Sequence, residues 1–338
     1  MRFDEDERGG VTVVVDGHPQ SYVSVADPML LAFDYVEHLA LAINALAPTP
    51  APAALRVTHI GGAGLTLARW ITATRPGSPQ IVLEPDAPLT AAVRARLPLP
   101  RGHRVRVRPV DGRSGIAALA SASADVVVLD AFAAGRVPAD LVSVEFFAQV
   151  CRVLTPRGLC VANLADEPGL RHAARVVAAV QAAGLDAVSL IAGHEVLKGK
   201  RFGNVVIAAR AALDPESGSP AGVDALPRRA ASASQPGGIP AEGMDPLPRR
   251  AASASQPGGI PAEGMDTLRR RAASASLPAG IRAGDLDALR RRAASASLPT
   301  GIRAGAALTC WLAGARPFTD ADAIPSPEPP DPGAWRFR

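Results

Sequence analysis

The chain has 338 residues, a hydrophobic fraction of 48%, aromatics at only 4% and a formal net charge of +4. That length carries one large domain or two small ones, with ample apolar material for a core. Cys151, Cys160 and Cys310 form neither a metal spacing nor a disulfide framework, no run reaches the roughly 18 apolar residues of a membrane span, and the acidic start MRFDEDERGG lacks the apolar stretch of a secretory signal, so a soluble cytoplasmic protein is expected.

GVTVVVDGHPQSYV, residues 10–23, predicts a β-hairpin turning at Asp16-Gly17. Residues 28–47 carry Leu30, Leu31, Phe33, Val36, Leu39 and Leu41 at mainly helical spacing, closed by APTPAPA. From there strands and helices alternate. LRVTHI, QIVLE, RVRVRP, ADVVVLD and GLCVANL read as strands, with helical runs near 65–75, 87–97, 113–122, 140–153 and 168–183. DAVSLIA and FGNVVIAARA give two more strands, too close for a parallel crossover and therefore antiparallel. Five βα steps followed by such a pair predict an α/β fold with a Rossmann-like, seven-stranded sheet of the kind found in nucleoside-binding transferases. The expected organisation is a hairpin and helix over 1–50, the nucleoside-binding domain over 51–215, a low-complexity repeat insertion over 216–307 and a Pro-rich surface tail over 308–338.

The insertion repeats RRAASAS at 228, 249, 270 and 291, a 21-residue period running over 224–244, 245–265, 266–286 and 287–307. Each unit offers a Leu, an Ile and in some copies one more apolar residue, which is too little to offset an ordering entropy of about 1–2 kcal/mol per residue. Short helical pieces capped by Asp and joined by flexible QPGGIP-type linkers are expected, as a tolerated expansion of a surface loop. A basophilic kinase site in RRAAS, or Arg pairs touching nucleic acid, are the functional alternatives. The block holds twelve Arg against seven Asp or Glu, a surplus of five, whereas the whole chain is +4. The remainder is therefore about −1 and gives no sign of nucleic-acid binding.

In open α/β sheets ligands sit beyond the carboxyl ends of the strands. Four signals stand there. HIGGAGL supplies Gly61, Gly62 and Gly64 after the first strand, where glycines let backbone approach a ligand. Glu84 ends the second strand, about 20 residues on, where an acid accepts ribose hydroxyls. Asp111-Gly112 follows the third, with helix capping as the alternative role for Asp111. Asp130 ends the fourth, driven out of the buried VVVLD run and followed by a loop, AFAAGRVP. A carboxylate there can accept a proton or orient an amine. His59, His103, His172 and His194 make no metal set, and no metal is expected.

These residues resemble the spermidine synthase family, the polyamine aminopropyltransferases of polyamine biosynthesis, over roughly residues 10–210. The likeness takes in DGHPQ (Asp16 to Gln20), Tyr35-Val36-Glu37, the glycine loop, Glu84, Asp111, Asp130 and the run from VPADL to CVANL. It implies a methyltransferase-type sheet, decarboxylated S-adenosylmethionine as co-substrate, a small-molecule amine as acceptor, Asp130 and Tyr35 as catalytic residues, Gln20 as an orienting residue, and a homodimer. The chain also departs from the family pattern. Ala63 and Gly64 stand where the family's loop carries an Asp, Leu31-Ala32 replaces an Asp-Glu pair, Val36 replaces a frequent His, and the loop after Asp130 lacks a second acid. The nucleoside half matches while the polyamine half is depleted. The leading expectation is an aminopropyltransferase with an altered amine site. The alternatives are an S-adenosylmethionine-dependent methyltransferase and a catalytically inactive nucleoside-binding relic.

Overall fold

The computed structural model describes residues 1–211, 283–296 and 298–330, all within one compact unit. β1 (Arg2–Glu5), β2 (Val11–Val15) and β3 (His18–Val23) form a small antiparallel sheet. The expected hairpin is β2–β3. Its two turn residues, Asp16 and Gly17, have φ of 51° and 82°, the primed turn whose twist suits paired strands. β1 lies outside the sequence reading because RFDE has no apolar alternation. Val11, Val13 and Val23 pack against Leu89, Val93 and Leu97 of the main body.

α1 (Asp34–Leu46) starts six residues later than its hydrophobic spacing suggests. Leu30 N–H turns back to Asp27 O, and Phe33 is extended (φ −91°, ψ 127°), so the segment from Pro28 approaches as a loop. Leu39, Ile43 and Leu46 are buried beneath the helix.

The main sheet follows from β4 (Val57–Ile60), β5 (Gln80–Leu83), β6 (Val105–Arg108), β7 (Ala124–Leu129), β8 (Leu154–Asp166), β9 (Leu185–Gly193) and β10 (Gly203–Ala211). Its order is β9-β10-β8-β7-β4-β5-β6, parallel from β8 to β6 and antiparallel at β8–β10–β9. This is the expected seven-stranded arrangement. The connecting helices are α2 (Thr66–Thr74), α3 (Ala87–Arg96), α4 (Gly112–Ala117), α5 (Val144–Val153), α6 (Arg171–Ala182) and the short α7 (His194–Leu197). α5 begins at 144 rather than 140 because Ser143 Oγ accepts the Phe146 N–H and caps it, after a single 3₁₀ turn at Ala139–Leu141. No helix among the described residues is long and apolar enough to cross a membrane.

The end of the repeat block joins this sheet. α8 (Ala283–Ala294) spans the junction of the third and fourth copies, and β11 (Thr300–Ala304), inside the fourth copy, pairs antiparallel with β9 as an eighth strand. Leu289 is fully buried with residues of α1, and Arg210 pairs with Asp285. The expected helical pieces thus include a docked one, and a strand accompanies it. The first two copies, and the third up to residue 282, lie outside the described residues, as do 331–338.

After α9 (Ala306–Trp311) the Pro-rich tail binds the body rather than only lying along its surface. Phe318 is buried against His172 and under the Arg175 guanidinium, 3.8 Å from its ring centre. Arg113 pairs with Asp320, and Arg175 with Asp322. Ser326, also fully buried, receives the Val137 N–H on its hydroxyl at 2.8 Å and donates its own N–H to Val137 O at 3.0 Å.

Candidate active site

The chain runs β4→β5→β6 to one side of the sheet and then returns to place β7 on the other side of β4. Crevices form at such switch points, beyond the strands' carboxyl ends. Here the β4 and β7 ends touch: Asp130 N–H donates to Ile60 O at 2.9 Å. Gly61 has φ of 85°, and a methyl group on it would lie 2.2 Å from the Asp130 carbonyl oxygen, so glycine is required where the two strand ends meet. A cavity of about 610 Å³ opens at this point, between the main sheet, the N-terminal hairpin and α1.

Five of the nine residues singled out from the sequence line it: Gln20, Tyr35, Gly61, Gly62 and Asp130. Glu84 stands behind the loop. Its carboxylate accepts the Gly62 and Ala63 N–H groups at 3.0 and 3.3 Å, and the Asp86 N–H at 3.0 Å. It therefore holds the loop's shape in this structure. Gly64 is buried against β3, where its N–H donates to Ser21 Oγ at 3.0 Å and a methyl group would come within 2.7 Å of Ser21 Cβ. Its role here is close packing of loop on hairpin. Asp111 caps α4, accepting the Ser114 N–H at 2.7 Å, which helps hold its carboxyl below the usual range. Gly112 is buried where a methyl group would strike Ile60. Gly64, Glu84, Asp111 and Gly112 are thus outside the cavity lining.

Asp130 is the carboxylate where the β4 and β7 ends meet on the cavity lining. Burial pushes its pKa up to about 6, against the opposing effect of Asn163, whose Nδ2 donates to Asp130 Oδ1 at 2.9 Å. Asn204 Nδ2 in turn donates to Asn163 Oδ1 at 3.1 Å. This chain of amides, from β8 to β10, orients one carboxylate oxygen. Tyr35 stands near enough to feel the Asp130 charge. Burial first, then that charge, raises its pKa well above 10, so its hydroxyl stays protonated and able to donate. It also stacks on Phe33, with ring centres 5.7 Å apart. His59 on the lining bonds Gln80 at 2.9 Å, and burial lowers its pKa to about 4, so it is neutral.

The sequence reading omits Asn163, Asn204, His18, Arg201 and the tail residues Pro329 and Pro330, all of which line the cavity. Asn163 has a detectable signal, a polar amide inside the apolar strand GLCVANL. Pro329 arrives from the far end of the chain, beside Gly135 of the loop after Asp130, and no local pattern announces it.

No protein-family model and no curated protein matches the chain. Among solved structures, a probable spermidine synthase from Corynebacterium glutamicum ATCC 13032 is similar over 94% of this chain and 92% of its own, with a TM-score of 0.68 and 24% identity. Spermidine synthase from Thermotoga maritima matches over 64% of this chain and 70% of its own, with a TM-score of 0.47 and 19% identity. At 24% identity the likeness to the Corynebacterium protein concerns the fold alone. The chain has the fold of the Corynebacterium protein, an α/β Rossmann-like sheet of methyltransferase type behind an N-terminal hairpin.

Proposed function

We propose that the protein is an aminopropyltransferase, using decarboxylated S-adenosylmethionine as co-substrate and an amine as acceptor. The observation that carries this reading is Asp130, a carboxylate with its pKa raised to about 6, on the lining of a large cavity at the switch point of the sheet. An alkylamine with an ordinary pKa near 10 is mostly protonated at neutral pH. A base of raised pKa, close by and fixed by Asn163, removes and holds that proton better than an ordinary carboxylate.

The neutral nitrogen then attacks the donor methylene carbon in line with the sulfonium. The C–N bond forms as the C–S bond breaks, the electron pair stays on sulfur as methylthioadenosine, and the amine proton resides on Asp130. Tyr35, with its phenol kept protonated, orients donor or acceptor, and Gln20 contributes from the hairpin. Gly61 and Gly62 bring backbone to the nucleoside, and Glu84 is the ribose acid once ligand competes for it with the loop N–H groups. Asp111 and Gly112 border the adenine side.

A second reading is methyl transfer from S-adenosylmethionine itself. Arg201 on the lining favours it, as a cation able to meet a methionine carboxylate. Calorimetry with methylthioadenosine, decarboxylated S-adenosylmethionine and S-adenosylmethionine separates the two. Preference for the decarboxylated donor, with methylthioadenosine released in the presence of amines, supports the proposal. Preference for the full methionine form supports methyl transfer, and failure of all three to bind overturns the nucleoside reading.

A further inference from the structure

The charge on the cavity wall bears on which amine it accepts, given the aminopropyl transfer proposed above. Among the described residues, Asp34 and Asp130 are the carboxylates on the lining, and Arg201 is a cation on the same lining. His59 is held neutral by burial, and the other lining histidines add no negative charge. Glu84 is outside the lining, engaged with the glycine loop. With Asp130 ionised, the wall therefore carries one net negative charge. The reaction consumes that charge, because the attacking amine gives its proton to Asp130. What remains at that moment is Asp34, set against Arg201 and against the sulfonium and aminopropyl ammonium that the donor itself brings to the cavity.

A second ammonium on the acceptor finds no net attraction in such a wall. It also meets an apolar surface made by Phe33, Phe132, Val196, Phe202, Pro329 and Pro330. Moving a charged group from water against apolar side chains without a paired partner is unfavourable. An alkyl or aryl body at the same place is stabilised by contact with them. We infer that this cavity is built for an acceptor with one basic nitrogen on an apolar body, a primary monoamine, and that it disfavours a diamine of equal length. Arg201 is the residue that sets this preference by charge.

The test uses the full chain with decarboxylated S-adenosylmethionine as donor and follows methylthioadenosine release. Butylamine is compared with putrescine, and hexylamine with 1,6-diaminohexane. The monoamine of each pair is expected to exceed its diamine by about tenfold or more in kcat/KM, because the diamine's second ammonium is placed against apolar side chains without a partner. Arg201→Glu, at an exposed position, adds two negative charges' worth of change and should close most of that gap. Equal or better use of the diamines overturns the inference and leaves aminopropyl transfer standing. A gap unchanged in Arg201→Glu overturns the role given to Arg201. If no amine releases methylthioadenosine while methylthioadenosine itself still binds, the proposed reaction falls, and this inference with it.

Discussion

Replacing Asp130 by Asn should make the protein more stable at neutral pH while abolishing turnover. The carboxyl titrates near 6 in the folded chain, against 3.8 as its reference. One pKa unit corresponds to about 1.4 kcal/mol, so the buried charge disfavours the folded state by at most about 3 kcal/mol. The group is half-buried and faces a cavity that admits water, so about half of that is the working figure. The sign follows from proton counting. Between pH ~4 and ~6 the folded state holds more protons than the unfolded one, so the penalty grows as pH rises, is complete above 6 and is absent below 4. Asn keeps an oxygen to accept the Asn163 amide and carries no charge. Thermal unfolding of the two proteins should therefore differ by roughly 3–6 °C at pH 7.5, with Asp130→Asn the higher. The difference should vanish near pH 4, and calorimetry should find methylthioadenosine affinity changed no more than a few-fold. A lower melting temperature for Asp130→Asn at pH 7.5 would refute this account, since it would make the carboxylate a structural cap.

Three further outcomes are expected. His172 is buried against Phe318 with neither ring nitrogen hydrogen-bonded among the described residues, and burial, then Arg175 and Arg136, lowers its pKa to about 4. The stability tied to neutral His172 is present above pH 6.5 and is lost toward 4, so His172→Phe should flatten the acid-side fall in melting temperature by up to about 3 kcal/mol equivalent; an unchanged slope would count against it. Ser326→Ala leaves the buried Val137 N–H without its acceptor, at a cost of about 1–3 kcal/mol, and should speed tryptic cleavage at Arg136, whereas unaltered cleavage would mean that the tail does not hold this loop. Leu289→Ala, at a fully buried position on α8, should cost about 2–5 kcal/mol in urea unfolding; no effect would show the fourth repeat to be undocked.

The parallel sheet was legible through short runs rich in β-branched residues, as in VVVL at 126–129. The hairpin was legible through Asp16-Gly17, whose residue types suit positive φ. What escaped was set by distant partners. β1 has a charged sequence and exists through pairing with β2. β11 reads as a weak TGIRA segment and exists because β9 would otherwise offer an unpaired edge. The 21-residue period also misled about units, since α8 starts in one copy and finishes in the next. A repeat in sequence marks duplication, and the structural boundary falls where apolar residues such as Leu289 find a surface.

The site shows the same division more sharply. Asp130 announces itself, since a carboxylate ending a buried strand needs a reason. Its neighbours do not. Asn163 and Asn204 lie on strands that are far apart in sequence and adjacent in space, and the tail reaches the cavity through Ser326. The glycine loop carries the further lesson that one residue type answers several demands. Gly61 permits the meeting of two strand ends, Gly64 permits contact with the hairpin, and Gly62 lines the cavity with its N–H turned to Glu84. The loop is thus held by strand ends, hairpin and Glu84 together. In the reaction proposed above, a floor held in place beside Asp130 would lower the ordering that binding must still accomplish. The penalty that Asp130→Asn is expected to relieve is therefore one of desolvation, set by the same burial that raises the carboxyl's pKa.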